Sequence, residues 1–124
     1  MDRNEITEIS KYISKLTGLQ EFTCSHNKIT NLCPEITHLS RLEHFDISNN
    51  KLTQIPNSFG QLNALVHLNL NENKISLLPE SFGMLVNLRH LEICKNQLID
   101  LPESMFENMK NLAILGNYLF IINF

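Results

Sequence analysis

The chain carries no surplus of positive charge. Ten Lys and Arg residues stand against thirteen Asp and Glu, for a net charge of −3, and the pI is about 5.9. Nothing here would neutralise a phosphate backbone, which excludes nucleic acid as the default partner. Long apolar runs are also missing. No stretch approaches the ~18 residues a membrane-spanning helix needs, and the apolar C-terminal segment Tyr-Leu-Phe-Ile-Ile-Asn-Phe is seven residues long. Membrane insertion is therefore not expected. The first residues, Met-Asp-Arg-Asn-Glu-Ile-Thr-Glu-Ile-Ser-Lys, are too polar for the apolar centre of a signal peptide. Cysteine is scarce and odd in number. Cys24, Cys33 and Cys94 make neither an even disulfide framework nor a Cys-x-x-Cys pair, so we expect reduced thiols and a cytoplasmic setting. The four glycines form no glycine-rich loop. The Walker, GxGxxG, HExxH, GxSxG and EF-hand patterns are all missing. No catalytic residues, cofactor or metal site is expected, and the chain is read as a non-enzyme.

What is present is one modest domain of ordinary globular balance, 124 residues of which 43% are apolar and 19% charged. It is periodic. Leu19, Leu42, Leu65 and Leu88 are spaced 23 residues apart. Phe22, Phe45, Leu68 and Leu91 keep the same step, as do Cys24, Ile47, Leu70 and Ile93. Next come Asn27, Asn50, Asn73 and Asn96, then Ile29, Leu52, Ile75 and Leu98, then Leu32, Ile55, Leu78 and Leu101. Such self-similarity marks a solenoid of stacked units. Alternation around Leu68 and Leu70 predicts a short strand with those two side chains inward. The asparagines stand where the chain turns off each strand, and stacked they are expected to form a ladder of amides bonding backbone groups of their own and adjacent units. Pro56, Pro79 and Pro102 hold the return segment extended and out of the sheet. Phe59 and Phe82, each in a Ser-Phe-Gly triplet, are expected beneath the opposite side, in 3₁₀ or irregular turns. The first unit has Cys33 in the proline column and Pro34 one residue late, which predicts a local adjustment there.

The pattern L-x-x-L-x-L-x-x-N-x-L-x-x-L-P resembles the 23-residue, "LP"-containing form of the leucine-rich repeat, over about residues 19–111. In style it is similar to the repeats of Scribble- and Erbin-type scaffolds, of Ras-binding scaffolds, and of bacterial repeat proteins that include translocated effectors. The resemblance implies an α/β repeat solenoid. Its concave parallel sheet has four to five short strands, and its convex side is made of extended and 3₁₀ turns. It also implies recognition of a partner protein through the concave face, in a scaffold, adaptor, signalling or effector role; an effector would act in a host cytosol.

The expected organisation is a single domain with repeats at 19–41, 42–64, 65–87 and 88–111. Residues 1–18 fit either a half repeat, which the positions of Asn4, Ile6, Ile9, Ile13 and Leu16 favour, or a short amphipathic cap. Residues 112–124 read as a degenerate fifth repeat or an apolar edge. The fourth unit runs one residue long, which puts Ala113 in the column of Arg89, Ile114 in that of His90, Gly116 in that of Glu92 and Tyr118 in that of Cys94. An exposed parallel edge recruits partners, so Ile114 and Leu119 are candidates for self-association, and a homodimer through the terminal repeats is the alternative function.

Five outward columns line the concave face. The residues expected to carry recognition are Glu43, His44, Asp46, Val66, His67, Asn69, Asn71, Arg89, His90, Glu92 and Lys95. The column of His44, His67 and His90 is the most unusual, with Asp46 and Glu92 two residues along. Imidazoles with carboxylates are zinc-ligand chemistry, but rings on a ladder lie parallel and do not converge, so a partner contact is favoured over a metal. The same column predicts a partner affinity that varies with pH, since stacked imidazoles repel once protonated. Cys94 lies near His67 and His90 but has no oxyanion pocket to work with.

Overall fold

The computed structural model describes residues 3–110 and 112–115. Five strands of three residues each make one parallel sheet in the order of the sequence: β1 (Glu21–Thr23), β2 (His44–Asp46), β3 (His67–Asn69), β4 (His90–Glu92) and β5 (Ala113–Leu115). Between strands the chain returns along the convex side through 3₁₀ turns at Pro34–His38, Phe59–Gln61 and Glu80–Met84, and through one short helix, α1 (Glu103–Asn108). A further 3₁₀ turn at Lys11–Lys15 precedes β1. This is the curved solenoid that the repeat spacing and the resemblance imply.

One continuous core fills the coil. The central strand residues Phe45, Leu68 and Leu91 and the next inward residues Ile47, Leu70 and Ile93 are buried. From the convex side Ile36, Phe59, Phe82 and Met105 close over them. Because the repeats are in register, like stacks on like. The Phe22 and Phe45 rings lie 5.6 Å apart at 6°, and Phe59 and Phe82 repeat that geometry at 5.6 Å and 6°. Offset-stacked aromatics at such separations add to the area they bury.

The proline column fixes where each turn begins. The Pro56, Pro79 and Pro102 carbonyls accept from Phe59 N, Phe82 N and Met105 N at 3.0, 2.9 and 3.1 Å. In the first repeat the Cys33 carbonyl does this for Ile36 N at 3.1 Å, and Pro34 occupies the first turn position, where its missing N–H costs nothing. That is the adjustment the displaced proline called for.

The long fourth unit is absorbed differently from the reading of its sequence. Its convex turn is α-helical. Met109 N reaches back four residues to Met105 O at 3.0 Å, whereas Leu85 N reaches back three to Phe82 O at 3.1 Å. An α-helix rises ~1.5 Å per residue against ~2.0 Å in a 3₁₀ helix, so the extra residue fits the same axial length. One residue is then lost before the next strand, because β5 pairs Ala113 with His90, Ile114 with Leu91 and Leu115 with Glu92. The expected columns of Ala113 and Ile114 are thus each off by one. By backbone register Ile114 pairs with Leu91 and not with His90.

The asparagine column ties successive coils together. Oδ1 of Asn27, Asn50, Asn73 and Asn96 accepts from the backbone N–H of Ile6, Ile29, Leu52 and Ile75, at 3.1, 3.0, 3.0 and 3.0 Å. Each Nδ2 donates to carbonyls of its own turn, and those of Asn50, Asn73 and Asn96 also reach the preceding coil. Residues 3–18 run a related course: Arg3 N and Asn4 N donate to Ser25 O and His26 O at 3.0 and 3.1 Å.

Just before each asparagine the backbone is left-handed. Arg3, His26, Asn49, Glu72 and Lys95 have φ of 55, 54, 54, 55 and 54°. That region costs an ordinary L-residue about 1–2 kcal/mol, and asparagine tolerates it best after glycine. Asn49 already uses the favoured residue. His26→Asn is therefore expected to stabilise the chain by about 0.5–1 kcal/mol, read as a higher urea midpoint at unchanged slope. A lower midpoint would show that the exposed His26 imidazole does something the backbone argument omits.

Candidate functional site

The sheet places its outward residues in straight rows. Glu21, His44 and His67 pair in register, and so on to His90. Two residues along, Thr23, Asp46, Asn69 and Glu92 form the adjoining row. Alternation along a three-residue strand sends the middle side chain inward and leaves both ends on the concave face. The two rows enclose a shallow hollow of about 230 Å³ lined by Glu21, Thr23, His44, Asp46, His67, Asn69, His90 and Glu92, with Phe45 and Leu68 as its floor.

The three imidazoles stack. Ring centroids are 4.5 Å apart between His44 and His67, and 4.4 Å between His67 and His90, with planes inclined by 11 and 7°. Strand pairing at ~4.8 Å sets this spacing. The central ring pays for its position electrostatically. Loss of water beneath its neighbours, then repulsion from His44 and His90, lowers the His67 pKa below the usual histidine value, and Glu92 offsets part of this. The central ring therefore resists a proton more than a free imidazole does.

The adjoining row is braced by the backbone. Asp46 Oδ1 accepts from Ser48 N at 2.9 Å, and one repeat on Asn69 Oδ1 accepts from Asn71 N at 3.0 Å. Asn71 Nδ2 donates to Glu92 Oε2 at 3.1 Å and its Oδ1 accepts from Cys94 N at 2.7 Å. These side chains hold one geometry before anything binds, which lowers the entropic cost of binding.

Of the residues singled out from the sequence, the structure brings His44, Asp46, His67, Asn69, His90 and Glu92 together around the hollow. Glu43, Val66 and Arg89 stand in the row just before the strands and outside that lining. Asn71 belongs to the bracing, and Lys95 turns to Glu72 in an exposed ion pair of 3.0 Å. Glu21 and Thr23 line the hollow but were not among the residues expected to carry recognition. The register alone names them, since they are the first-repeat members of the two rows. The self-association pair falls elsewhere: Leu119 and the side chain of Ile114 lie outside the described residues.

Parallel rings do not point their nitrogens at one centre. Among the described residues no group of three or more His, Cys, Asp and Glu side chains is arranged to hold a metal ion. Cys33 and Cys94 are half-buried, Cys24 is in the core, and the three form no disulfide. Burial, the largest cause, raises the Cys33 thiol pKa; the Ile36 backbone hydrogen bond partly offsets this and the Glu35 charge adds to it, which disfavours the reactive thiolate. Among the described residues no helix is long and apolar enough to cross a membrane.

A family model described as a leucine-rich repeat region matches residues 3–120. The chain belongs to the leucine-rich-repeat family. Solved structures agree. A leucine-rich-repeat protein of Leptospira interrogans is 34% identical at a TM-score of 0.81, covering 90% of this chain and 29% of its own. The leucine-rich-repeat ectodomain of the receptor kinase SOBIR1 from Arabidopsis thaliana is 31% identical at 0.78, covering 94% of this chain and 66% of its own. The functional domain of InlJ from Listeria monocytogenes, described as including a cysteine ladder, shares the fold at 24% identity and a TM-score of 0.77, over 91% of this chain and 23% of its own. This leucine-rich-repeat chain thus spans under a third of two of these relatives and about two thirds of the other. No curated protein matches it. The repeats of this family generally mediate protein–protein interaction and are typically non-enzymatic.

Proposed function

We propose that this leucine-rich-repeat protein recognises a partner protein through the hollow of its concave face, in a scaffold or adaptor role. The observation that carries this is the pair of polar rows, pre-ordered by stacking and by backbone hydrogen bonds. Sheet residues set at fixed spacing on a solenoid suit a partner better than a small molecule, because the hollow is shallow and open. Five strands at ~4.8 Å span about 20 Å, which is less than a standard interface needs. The footprint therefore extends to Glu43, Val66 and Arg89 on the flanking row.

Affinity capture from cytosol, followed by titration of the captured protein, tests this. Replacing His44, His67 and His90 together by alanine is expected to weaken binding by about tenfold or more. Replacing the convex Glu80 and Glu103 by alanine should leave it unchanged. The reverse pattern would place the interface on the convex side. A second reading, self-association, draws on an apolar hollow of about 430 Å³ beside β1, lined by Ile6, Ile9, Ile13, Leu16 and Phe22 among others. Light scattering that shows a monomer at high concentration would remove it.

A further inference from the structure

We propose that the concave face takes a basic segment of its partner, seating two cationic side chains against Asp46 and Glu92, and releases it as His44, His67 and His90 gain protons. This rests on the concave face being the docking surface, and it adds the partner's chemistry and the sign of its pH dependence.

Charge comes first. The charged groups in the two rows are Glu21 from β1, Asp46 from β2 and Glu92 from β4, with Glu43 and Arg89 of opposite sign on the flanking row; β3 contributes none besides His67. Glu72 and Lys95, on the turns beyond, neutralise each other at 3.0 Å. With the histidines neutral, four carboxylates oppose one guanidinium, which leaves three negative charges uncompensated. Such a surface attracts a cationic partner and rejects an acidic one. Three added protons on the stack would cancel that surplus.

The stack also switches its hydrogen bonding. A neutral imidazole keeps one acceptor nitrogen, whereas a protonated one only donates. Arginine and lysine donors lose three acceptors at the same moment that they meet three new positive charges. Geometry then sets the spacing. Asp46 and Glu92 are separated by the intervening strand β3, so two strand steps put them roughly 10 Å apart. One cation cannot serve both. A polyproline-type segment crossing the strands places every third side chain on one side at about 9 Å intervals, which matches. Burial at the centre of the stack and its two ring neighbours support the direction, since both disfavour the protonated form of His67.

The test uses a heptapeptide with arginine at every third position in a proline background, and its glutamate counterpart. Each is titrated into the full chain at low salt, with histidine side-chain resonances observed by NMR and affinity by calorimetry. The arginine peptide should shift His44, His67 and His90. It should bind about fivefold or more weakly at about pH 5.5 than at about pH 7.5. The double substitution Asp46→Asn with Glu92→Gln should weaken it about tenfold at the higher pH. That variant keeps the oxygens that accept from Ser48 N and Asn71 Nδ2, and Asn69 already makes the Asp46-type contact one repeat on. Replacing the three histidines by asparagine should erase the pH dependence. Equal or tighter binding of the glutamate peptide, or arginine-peptide affinity flat with pH, overturns the proposal. If the glutamate peptide shifts the same three histidines, the docking face stands and only its assigned partner chemistry fails. If the arginine peptide shifts convex residues alone, both fail.

Discussion

Asn50→Ala is expected to cost about 3 kcal/mol, a large part of the stability of so small an array. The Asn50 amide is 8% exposed and sits among backbone groups. Its Oδ1 accepts from Ile29 N at 3.0 Å, and its Nδ2 donates to Cys24 O, Ile47 O and Ser48 O at 3.1, 3.2 and 3.1 Å. Alanine does not strand all four groups. Cys24 O also accepts from Asn27 Nδ2, Ile47 O from Asn73 Nδ2, and Ser48 O from His26 N. Only the Ile29 N–H loses its partner outright. An orphaned buried donor costs ~1–3 kcal/mol and each shared bond lost adds ~0.5–1. Chemical denaturation reads the sum, and a loss below about 1 kcal/mol would mean that water replaces the amide.

Asn50→Asp separates the two halves of that argument. Aspartate keeps an oxygen for Ile29 N but turns a negative charge toward three carbonyls, which raises its folded pKa above the unfolded value. The protonated acid can donate where Asn50 Nδ2 did. The variant should therefore be most stable below the unfolded pKa of the carboxyl and lose stability as pH rises through the folded one. A stability profile parallel to that of the native chain would contradict this.

Gly60→Ala is expected to cost about 3 kcal/mol or more, at the upper end of overpacking penalties. The reason is contact and not backbone freedom. A methyl on Gly60 would overlap the Ser81 carbonyl, with the Ser81 carbonyl carbon only 2.8 Å away. Ser81 is the next coil's residue at the same level, and its Oγ accepts from Gly60 N at 3.3 Å. Backbone cannot yield there without parting the two repeats. Gly18 supplies the control, since nothing lies within 4 Å of a methyl built on it. Gly18→Ala should be neutral or stabilising by a few tenths of a kcal/mol. Equal midpoints for the two variants would show that the convex turns can separate freely.

The difference between these glycines shows where a linear reading stops. In the sequence Gly60 and Gly83 recur one repeat apart, which marks them as part of the unit but does not say what approaches them. Most of the fold was legible because its cause is local and periodic: alternation puts Leu68 and Leu70 inside, and asparagine at a constant step implies a ladder. The α-helical fourth turn was not legible. Its extra residue announced a shift of register in β5, yet the length was taken up by a change of helix type and by a shorter lead into the strand. Choosing between those outcomes depends on axial rise and packing, which residue types do not encode.

By itself the sequence determined the coil. A 23-residue step of apolar and asparagine columns can be satisfied only by stacking like on like, and that places the imidazoles side by side on one face. Only the tertiary structure decided the distances and the surroundings: rings at 4.4–4.5 Å, a hollow with Phe45 and Leu68 in its lining, and Lys95 withdrawn from it to Glu72. Periodicity fixes which residues share a row because strand pairing repeats it faithfully. Distances across a row, and the company each side chain keeps, follow from curvature and packing that exist only once the coils have stacked.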